Sequence, residues 1–278
     1  EVQVDVGLSV AESAHSRNRE AYAPILFEMA GIPHLGSDAL TLSLSLDKAW
    51  TKDLAAAAGV PTPVYRIVGD AGQVNESVLE GMGDEPGRAA LSFPLFVKPR
   101  YEGSAKGIAE SNRVEDLDAL RREVARTVSD YRQDALVEAF VEGGGEFTVA
   151  VVGNDPPEPL PVLQRAVEQQ SRIGLHALEH RGLPERDWSY VIEGTLTPEL
   201  EHQLQDLAVR VYQKLECRDF ARMDFRVDAN GTPWFLEINT LPTFAPDGTF
   251  AVIAELMARP YPEFLAEVLA RRLGRLGL

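Results

Sequence analysis

The chain has 278 residues, 45% of them apolar and 25% charged, which suits a folded protein of two or three lobes and excludes a disordered one. Asp and Glu number 43 against 27 Lys and Arg, a net charge of −16, so a broad nucleic-acid or anionic-membrane surface is excluded, though a local basic pocket is not. The single cysteine, Cys217, rules out an intrachain disulfide and a cysteine-rich zinc site, and no apolar run approaches the roughly 20 residues that span a bilayer.

Glu1 stands where a start Met would, and Val2, Val4 and Val6 alternate with polar residues as in a strand, so a missing N-terminal piece is expected. A polar stretch over 12–20 leads to a helix over 23–30 that ends at Gly31. So short a segment cannot bury its own core and belongs to a larger lobe. A single helix is predicted over 40–58, carrying Asp47, Lys48 and Lys52 and stopped by Gly59, Pro61 and Pro63. Strands follow over 64–68 and 93–98, separated by a Gly/Asp/Glu-rich surface excursion over 69–90. An amphipathic helix over 114–131 precedes a strand over 135–140. Past Gly143, Gly144 and Gly145 come a strand over 147–152 and an exposed Pro-rich turn over 156–161. Residues 164–191 are polar and aperiodic, the pattern of a functional or mobile loop. A helix over 197–215 starts at Thr197 and Pro198, strands over 220–227 and 234–238 pair, and helices over 250–257 and 261–273 close the chain.

Asn230-Gly231 between two alternating runs marks a hairpin. With Val227 opposite Trp234, Asp224 falls opposite Glu237 and Arg222 opposite Asn239, while Met223, Phe225, Leu236 and Ile238 take the core face. Opposed carboxylates repel when their Cβ atoms are about 4.5–5.5 Å apart, and a cation between them reverses the penalty. The oxygens of Asp224, Glu237 and Asn239 suit Mg²⁺ completed by phosphate and water. A solvated polar face, its arginines balancing its acids, fits the same residues.

Lys98 ends an apolar strand, so its ammonium is partly buried and needs an anion. Gly103 and Gly107, with Lys106 between them, form a loop whose N–H groups can approach phosphate oxygens. An ordinary hairpin with turn glycines is the alternative, and the Walker pattern is not matched. Along 136–142 an apolar strand runs into the three glycines and Glu146; it could line an adenine slot and offer a carboxylate to ribose hydroxyls, or be a plain strand and loop.

Taken in order, five stretches resemble the ATP-grasp superfamily and, more closely, the D-alanine–D-alanine ligases and their relatives. They are Gly31 to Ser37, Asp47-Lys48 to Pro63, Val97-Lys98-Pro99 to Gly107, Val137-Glu138 to Thr148, and Ala221-Arg222-Met223-Asp224 to Asn239. The resemblance implies an α/β fold built of α+β lobes, two of which clamp ATP. These are a central lobe over 39–139 and a C-terminal lobe over 140–278 with the metal and catalytic site, after the remnant of an N-terminal α/β (pre-ATP-grasp) domain over 1–38. It implies phosphate contacts for Lys48, Lys98, Lys106 and the Gly103 loop, adenine binding for Glu138, Ala139 and Val141, and ribose binding for Glu146. Ser104 would organise the substrate site. Arg222, with backbone near Thr243, would hold the oxyanion, and Asp224, Glu237 and Asn239 would hold Mg²⁺, or Mn²⁺ in its place. The implied activity is ATP-dependent joining of a carboxylate to an amine through an acyl phosphate. It would act in the cytoplasm on amino-acid or peptide substrates, as a homodimer, without nucleic-acid or membrane partners.

Three departures from the family pattern stand out. The N-terminal segment with its substrate-side glutamate is not in this sequence; Thr243 and Gly248-Thr249 stand where the family has Gly and Ser-Leu; and no Lys-Tyr pair occurs in the long loop, where Glu179-His180-Arg181 is the candidate stand-in. The last two fall on the substrate side. Two alternatives therefore accompany the ligase: a nucleotide-binding protein without turnover, and an ATP-grasp ligase for a different acid and amine. Elsewhere Cys217 reads as structural, His176, His180 and His202 as loop or surface residues, Trp50 and Trp188 as packing, Arg17 and Arg19 as cleft-side carboxylate binders, and 76–85 as solvated surface.

Overall fold

The computed structural model describes residues 4–11, 16–80, 89–179 and 187–277, the side chain of Arg272 excepted. Val2 of the predicted first strand, 12–15 of the polar stretch, 81–85 of the acidic stretch, and His180 and Arg181 lie outside the described residues.

Strand β1 (Gly7–Leu8) pairs in parallel with β2 (His34–Leu35), and the crossover a parallel pair requires is supplied by α1 (Tyr22–Met29). The valine alternation that predicts a strand from residue 2 does not carry one over 4–6: the strand begins at Gly7, and Val4 is exposed. Gly31 ends α1 in the left-handed region, with Gly31 N–H donating to Glu28 O and Ile32 N–H to Phe27 O.

Where one helix is predicted over 40–58 there are two, α2 (Ala39–Leu46) and α3 (Lys48–Ala57). Asp47 breaks them. Its backbone is extended, its carboxylate accepts from Ala49 N–H and Trp50 N–H, and Arg100 fixes it in an ion pair at 2.8 Å. The end of α3 follows the sequence, with Gly59 at positive φ and Val60 N–H returned to Ala55 O.

The central sheet has the order β3 (Tyr65–Val68), β6 (Ala135–Ala139), β4 (Leu95–Pro99), β5 (Arg113–Val114), all antiparallel. It packs on α4 (Leu117–Tyr131), which Asp116 caps; Leu120 and Val124 meet Leu95, Val97, Ala135 and Val137.

The C-terminal sheet is also antiparallel. Its path is β10 (Tyr190–Ile192), β9 (Leu163–Glu168), β7 (Gly143–Val152), β11 (Phe220–Asp228), β12 (Pro233–Asn239), with β8 (Glu158–Pro159) on β7. The three glycines, placed ahead of the strand by the sequence, are the first residues of β7. The aperiodic 164–191 stretch contains β9, the short helix α5 (Leu175–Leu178) and β10. One sheet face, including Phe147, Val149, Met223 and Phe225, is covered by α6 (Pro198–Lys214) and by Ala55 of α3. The other buries Ala150, Val152 and Phe220 under α7 (Thr249–Leu256) and α8 (Tyr261–Leu273), leaving its remaining end open towards the central sheet.

The hairpin register is the predicted one at its far end, with Arg222 opposite Asn239 and Asp224 opposite Glu237. Nearer the turn it slips by one residue, so Val227 faces Pro233 rather than Trp234. The extra residue is Leu236, a β-bulge. In an unbroken strand Glu237 and Phe235 share a face. The bulge lets Glu237 point into the cleft while Phe235 enters the core, edge-on to Phe225 at 5.8 Å. Leu236, predicted for the core, lines the cleft instead.

Candidate functional site

A cleft of ≈ 990 Å³ opens between the two sheets, at the upper end of the size of small-molecule pockets. Every sequence-predicted site residue lines it except Gly103. That glycine closes a turn by accepting Lys106 N–H, and the left-handed residues of its loop are Ser104, Ala105 and Gly107. A Cβ on Gly107 would lie 2.6 Å from Pro99, so this glycine serves close packing as well as the turn.

At the centre of the cleft are Lys48, Lys98, Glu138 and Glu237, with Lys52 buried behind them. Lys98 of β4 and Lys52 of α3 both reach Glu138 of β6, each at 2.7 Å, and all three side chains are at most 5% exposed. The anion that buried Lys98 requires is therefore Glu138, both of whose carboxylate oxygens are engaged by lysines. Burial raises a carboxyl pKa, but Lys52 and Lys98 outweigh it and hold Glu138 low. Lys48 donates to the Glu102 carbonyl and pairs with Glu237 at 3.2 Å. Against the same burial effect, Lys48, Lys98 and Arg222 draw Glu237 down to about 2.

The polar face of β11 carries Arg222, Asp224 and Arg226 into the cleft. Asp224 accepts the Thr148 hydroxyl at 2.7 Å and pairs with Arg222 at 3.1 Å. Arg222 also donates to Thr249 Oγ1, and its Nε is buried without a partner among the described residues. Asn239 accepts Leu241 N–H through Oδ1. Among the described residues no three His, Cys, Asp or Glu side chains gather as a metal cage. The donor set is two carboxylates and an amide on adjacent strands, all oxygen, which fits a hard cation that takes its other ligands from phosphate and water.

Glu146 lies at the far end, its Oε1 3.4 Å from His176 Nδ1 and its Oε2 3.6 Å from Arg226. His176, for which the sequence offers no partner, thus has one. Gly174 makes room for it: a Cβ there would lie 2.2 Å from Glu146 Oε1. Ala139 and Phe140 donate their N–H groups to Val64 O and Pro94 O, and neighbouring Val141 lines the cleft. Arg226 stacks over Phe140 at 4.7 Å.

Sequence reasoning misses four residues of this network. Arg226 follows Asp224 by two positions, so strand alternation could have found it. Lys52 follows Lys48 by one helical turn, a spacing that signals a shared face. Thr148 and Arg165 carry no such mark. Arg165 of β9 donates to Thr148 Oγ1 at 3.2 Å and Thr249 Oγ1 at 3.0 Å, behind the cleft wall. Of the residues set outside the site, Cys217 is buried and burial pushes its thiol pKa up, while Trp50, expected in packing, is 44% exposed beneath the Arg17 guanidinium. Arg19 is buried 3.6 Å from Glu102.

The family described as D-ala D-ala ligase C-terminus matches residues 54–270. The chain is 30% identical over 293 residues to the D-alanine–D-alanine ligase of Pelotomaculum thermopropionicum, covering all of this chain and 87% of that one. In fold it is similar to the VanG D-Ala:D-Ser ligase from Enterococcus faecalis, with a TM-score of 0.74 and 23% identity over 97% of this chain and 73% of that one. It is likewise similar to the D-alanine–D-alanine ligase from Bacillus anthracis complexed with ATP, with a TM-score of 0.71 and 21% identity over 98% and 79%.

Proposed function

The chain belongs to the D-alanine–D-alanine ligase family, and from that premise we propose that this ATP-dependent, ATP-grasp ligase joins the carboxylate of one amino acid to the amine of a second. The observation that carries the proposal is the convergence of Lys48, Lys98, Arg222, Asp224, Glu237 and Asn239 on one cleft. A carboxylate is a weak nucleophile, and its target, the γ-phosphate, is itself anionic. Transfer therefore needs cations that neutralise the repulsion and hold the partners in line. Lys48 and Lys98 would bind the phosphates, with Lys106 and the Gly103 loop above them. Mg²⁺, held by Asp224, Glu237 and Asn239, would supply charge neutralisation at the phosphates.

Val141 would hydrogen-bond the adenine beside Glu138 and Ala139, and Glu146 would accept from the ribose hydroxyls. Arg222 is suited to the next step. When the amine attacks the activated carbonyl, negative charge develops on oxygen, and a donor fixed in advance stabilises it without reorganising. The ion pair to Asp224 and the bond to Thr249 hold the guanidinium in place, with Nε in reserve. Ser104 would order the second substrate.

Both substrates being D-alanine is the first choice, by analogy with the relatives' names. A different acid and amine is favoured by the exposed Thr243, whose hydroxyl caps Ala245 N–H where the family places glycine. The proposal extends to the lobe boundaries at 38/39 and 139/140, with α3 strapping the central lobe to the C-terminal core. It also extends to a homodimer and a cytoplasmic setting; among the described residues no helix is long and apolar enough to cross a membrane. The test is ADP and phosphate release with ATP, Mg²⁺ and a panel of D- and L-amino acids, with products identified by mass spectrometry. Amino-acid-dependent release with a condensed product is the expected outcome, and nucleotide binding without release across the panel would overturn it.

A further inference from the structure

Lys52 is fully buried, touches no part of the cleft, and is set between elements that the ATP site needs held together. From α3 it reaches Glu138 of β6 at 2.7 Å, Thr62 Oγ1 at 3.1 Å and Phe235 O at 3.4 Å, the last being the carbonyl that precedes the β12 bulge. Thr62 donates to that same carbonyl, and Pro61 O accepts Phe235 N–H. The hydroxyl and carbonyl solvate the ammonium, but the only carboxylate within ion-pair distance among the described residues is Glu138, and Lys98 shares it.

That sharing fixes the charge of the site. Glu138 alone would cancel Lys98, and a neutral pair has little attraction for phosphate. With Lys52 on the other carboxylate oxygen, the three side chains carry a net charge of +1. The excess is felt where the cluster meets the cleft, at Lys98, because Lys52 is sealed on every side. We propose that Lys52 is a positioning residue for ATP: it neutralises Glu138 from behind, so that Lys98 presents a full positive charge to the nucleotide phosphates. Burial pushes the Lys52 ammonium down to about 8, against the pull of Glu138, so it stays largely protonated at neutral pH.

The inference rests on the ATP-binding reading above and makes a prediction that packing alone does not. Lys52→Met keeps the volume and leaves Glu138 paired with Lys98, but takes the cluster to zero charge. Lys52→Met combined with Glu138→Gln returns it to +1. ATP and adenosine binding are measured by calorimetry for both variants and the wild type, with thermal melts alongside. A charge-assisted contact corresponds to about ten- to a hundredfold in affinity, so Lys52→Met is expected to weaken ATP by at least about tenfold and leave adenosine within about twofold. The double variant should recover most of the ATP affinity. Equal loss of ATP and adenosine, or a double variant no better than the single one, would overturn the role of Lys52 and show a structural contact only. If Lys52→Met does not fold, the double variant and Lys52→Arg carry the test, both predicted to bind ATP near wild-type strength. Failure of the wild type to bind ATP at all would instead strike the proposed function.

Discussion

Removing the Thr148 hydroxyl should damage both stability and metal response, and Thr148→Val does it without changing shape. Thr148 is 1% exposed, donates to Asp224 Oδ1 at 2.7 Å and accepts from Arg165 Nε at 3.2 Å. A hydroxyl has one proton, and a guanidinium can only donate, so that proton must go to Asp224. The chain Arg165 to Thr148 to Asp224 therefore has one direction and fixes which Asp224 oxygen is occupied. Valine leaves Arg165 Nε without an acceptor and Asp224 Oδ1 without a donor. Hydrogen bonds to charged groups contribute about 1.5–3 kcal/mol each. Because Thr249 still holds Arg165 through Nη2 at 3.0 Å, the expected loss is about 2–4 kcal/mol, read from urea melts. Losing an outer partner of a metal ligand costs about 10–100-fold in metal affinity, so the Mg²⁺ concentration for half-maximal turnover should rise by about tenfold or more. Direct Mn²⁺ titration in the presence of ATP should show the same weakening, and Thr148→Ser should restore it. A valine variant with wild-type metal response and a stability within about 0.5 kcal/mol of wild type would refute both the relay and the placement of Asp224 as a ligand.

Arg222→Ala should lower turnover by about 10²–10³-fold while ATP still binds, the loss typical of an oxyanion donor; equal losses in binding and turnover would argue for a structural role. Gly174→Ala should raise the KM for ATP more than it lowers kcat, because the new Cβ displaces the Glu146 carboxylate, and an unchanged KM would detach Glu146 from the ribose. Phe225→Ala should destabilise the fold by about 3–5 kcal/mol in denaturant melts, since the ring is fully buried against Phe235 and α6. The affinity for ATP should fall as pH rises through about 8, where Lys52, faced by Glu138 on β6, Lys98 on β4 and Glu237 on β12, loses its proton. Lys52→Met should flatten that profile, and a wild-type profile flat to pH 10 would contradict the cause assigned to it.

Much of this molecule is legible in its sequence because local chemistry and tertiary structure agree there. Gly59 with Pro61 ends α3, Thr197 with Pro198 starts α6, and Asn230-Gly231 turns the hairpin, each by a mechanism that works within a few residues. The misses share a cause. Asp47 looks like one polar residue in a helical run, and its role as a cap is decided by Arg100, far along the chain. Strand β9 hides because Arg165 takes an inward position, next to Thr148 and Thr249, where alternation calls for an apolar residue. The bulge at Leu236 is set by Pro61, Thr62 and Lys52 gripping Phe235, contacts that no short-range pattern encodes. Function is concentrated at these points, since a strand that must offer Glu237 to a ligand and Phe235 to the core has to break its own periodicity.

The net charge of −16 takes on a different meaning beside this cleft. Charges separated by more than about 8 Å are largely screened at physiological salt, so an extended polyanion meets the acidic surface while a small one meets only its immediate partners. Around the cleft Lys48, Lys98, Lys106, Arg222 and Arg226, with Lys52 buried behind them, stand against Glu102, Glu138, Glu146, Glu179, Asp224, Glu237 and Asp247, close to balance. Near balance suits the proposed chemistry. A strongly basic site would hold a triphosphate tightly and release ADP slowly, whereas paired lysines keep each cation fixed in place with its charge only partly committed. On this view, the carboxylate of Glu138 limits how strongly Lys98 binds phosphate and Lys52 sets that limit, so the affinity for nucleotide is governed by a side chain that the nucleotide never touches.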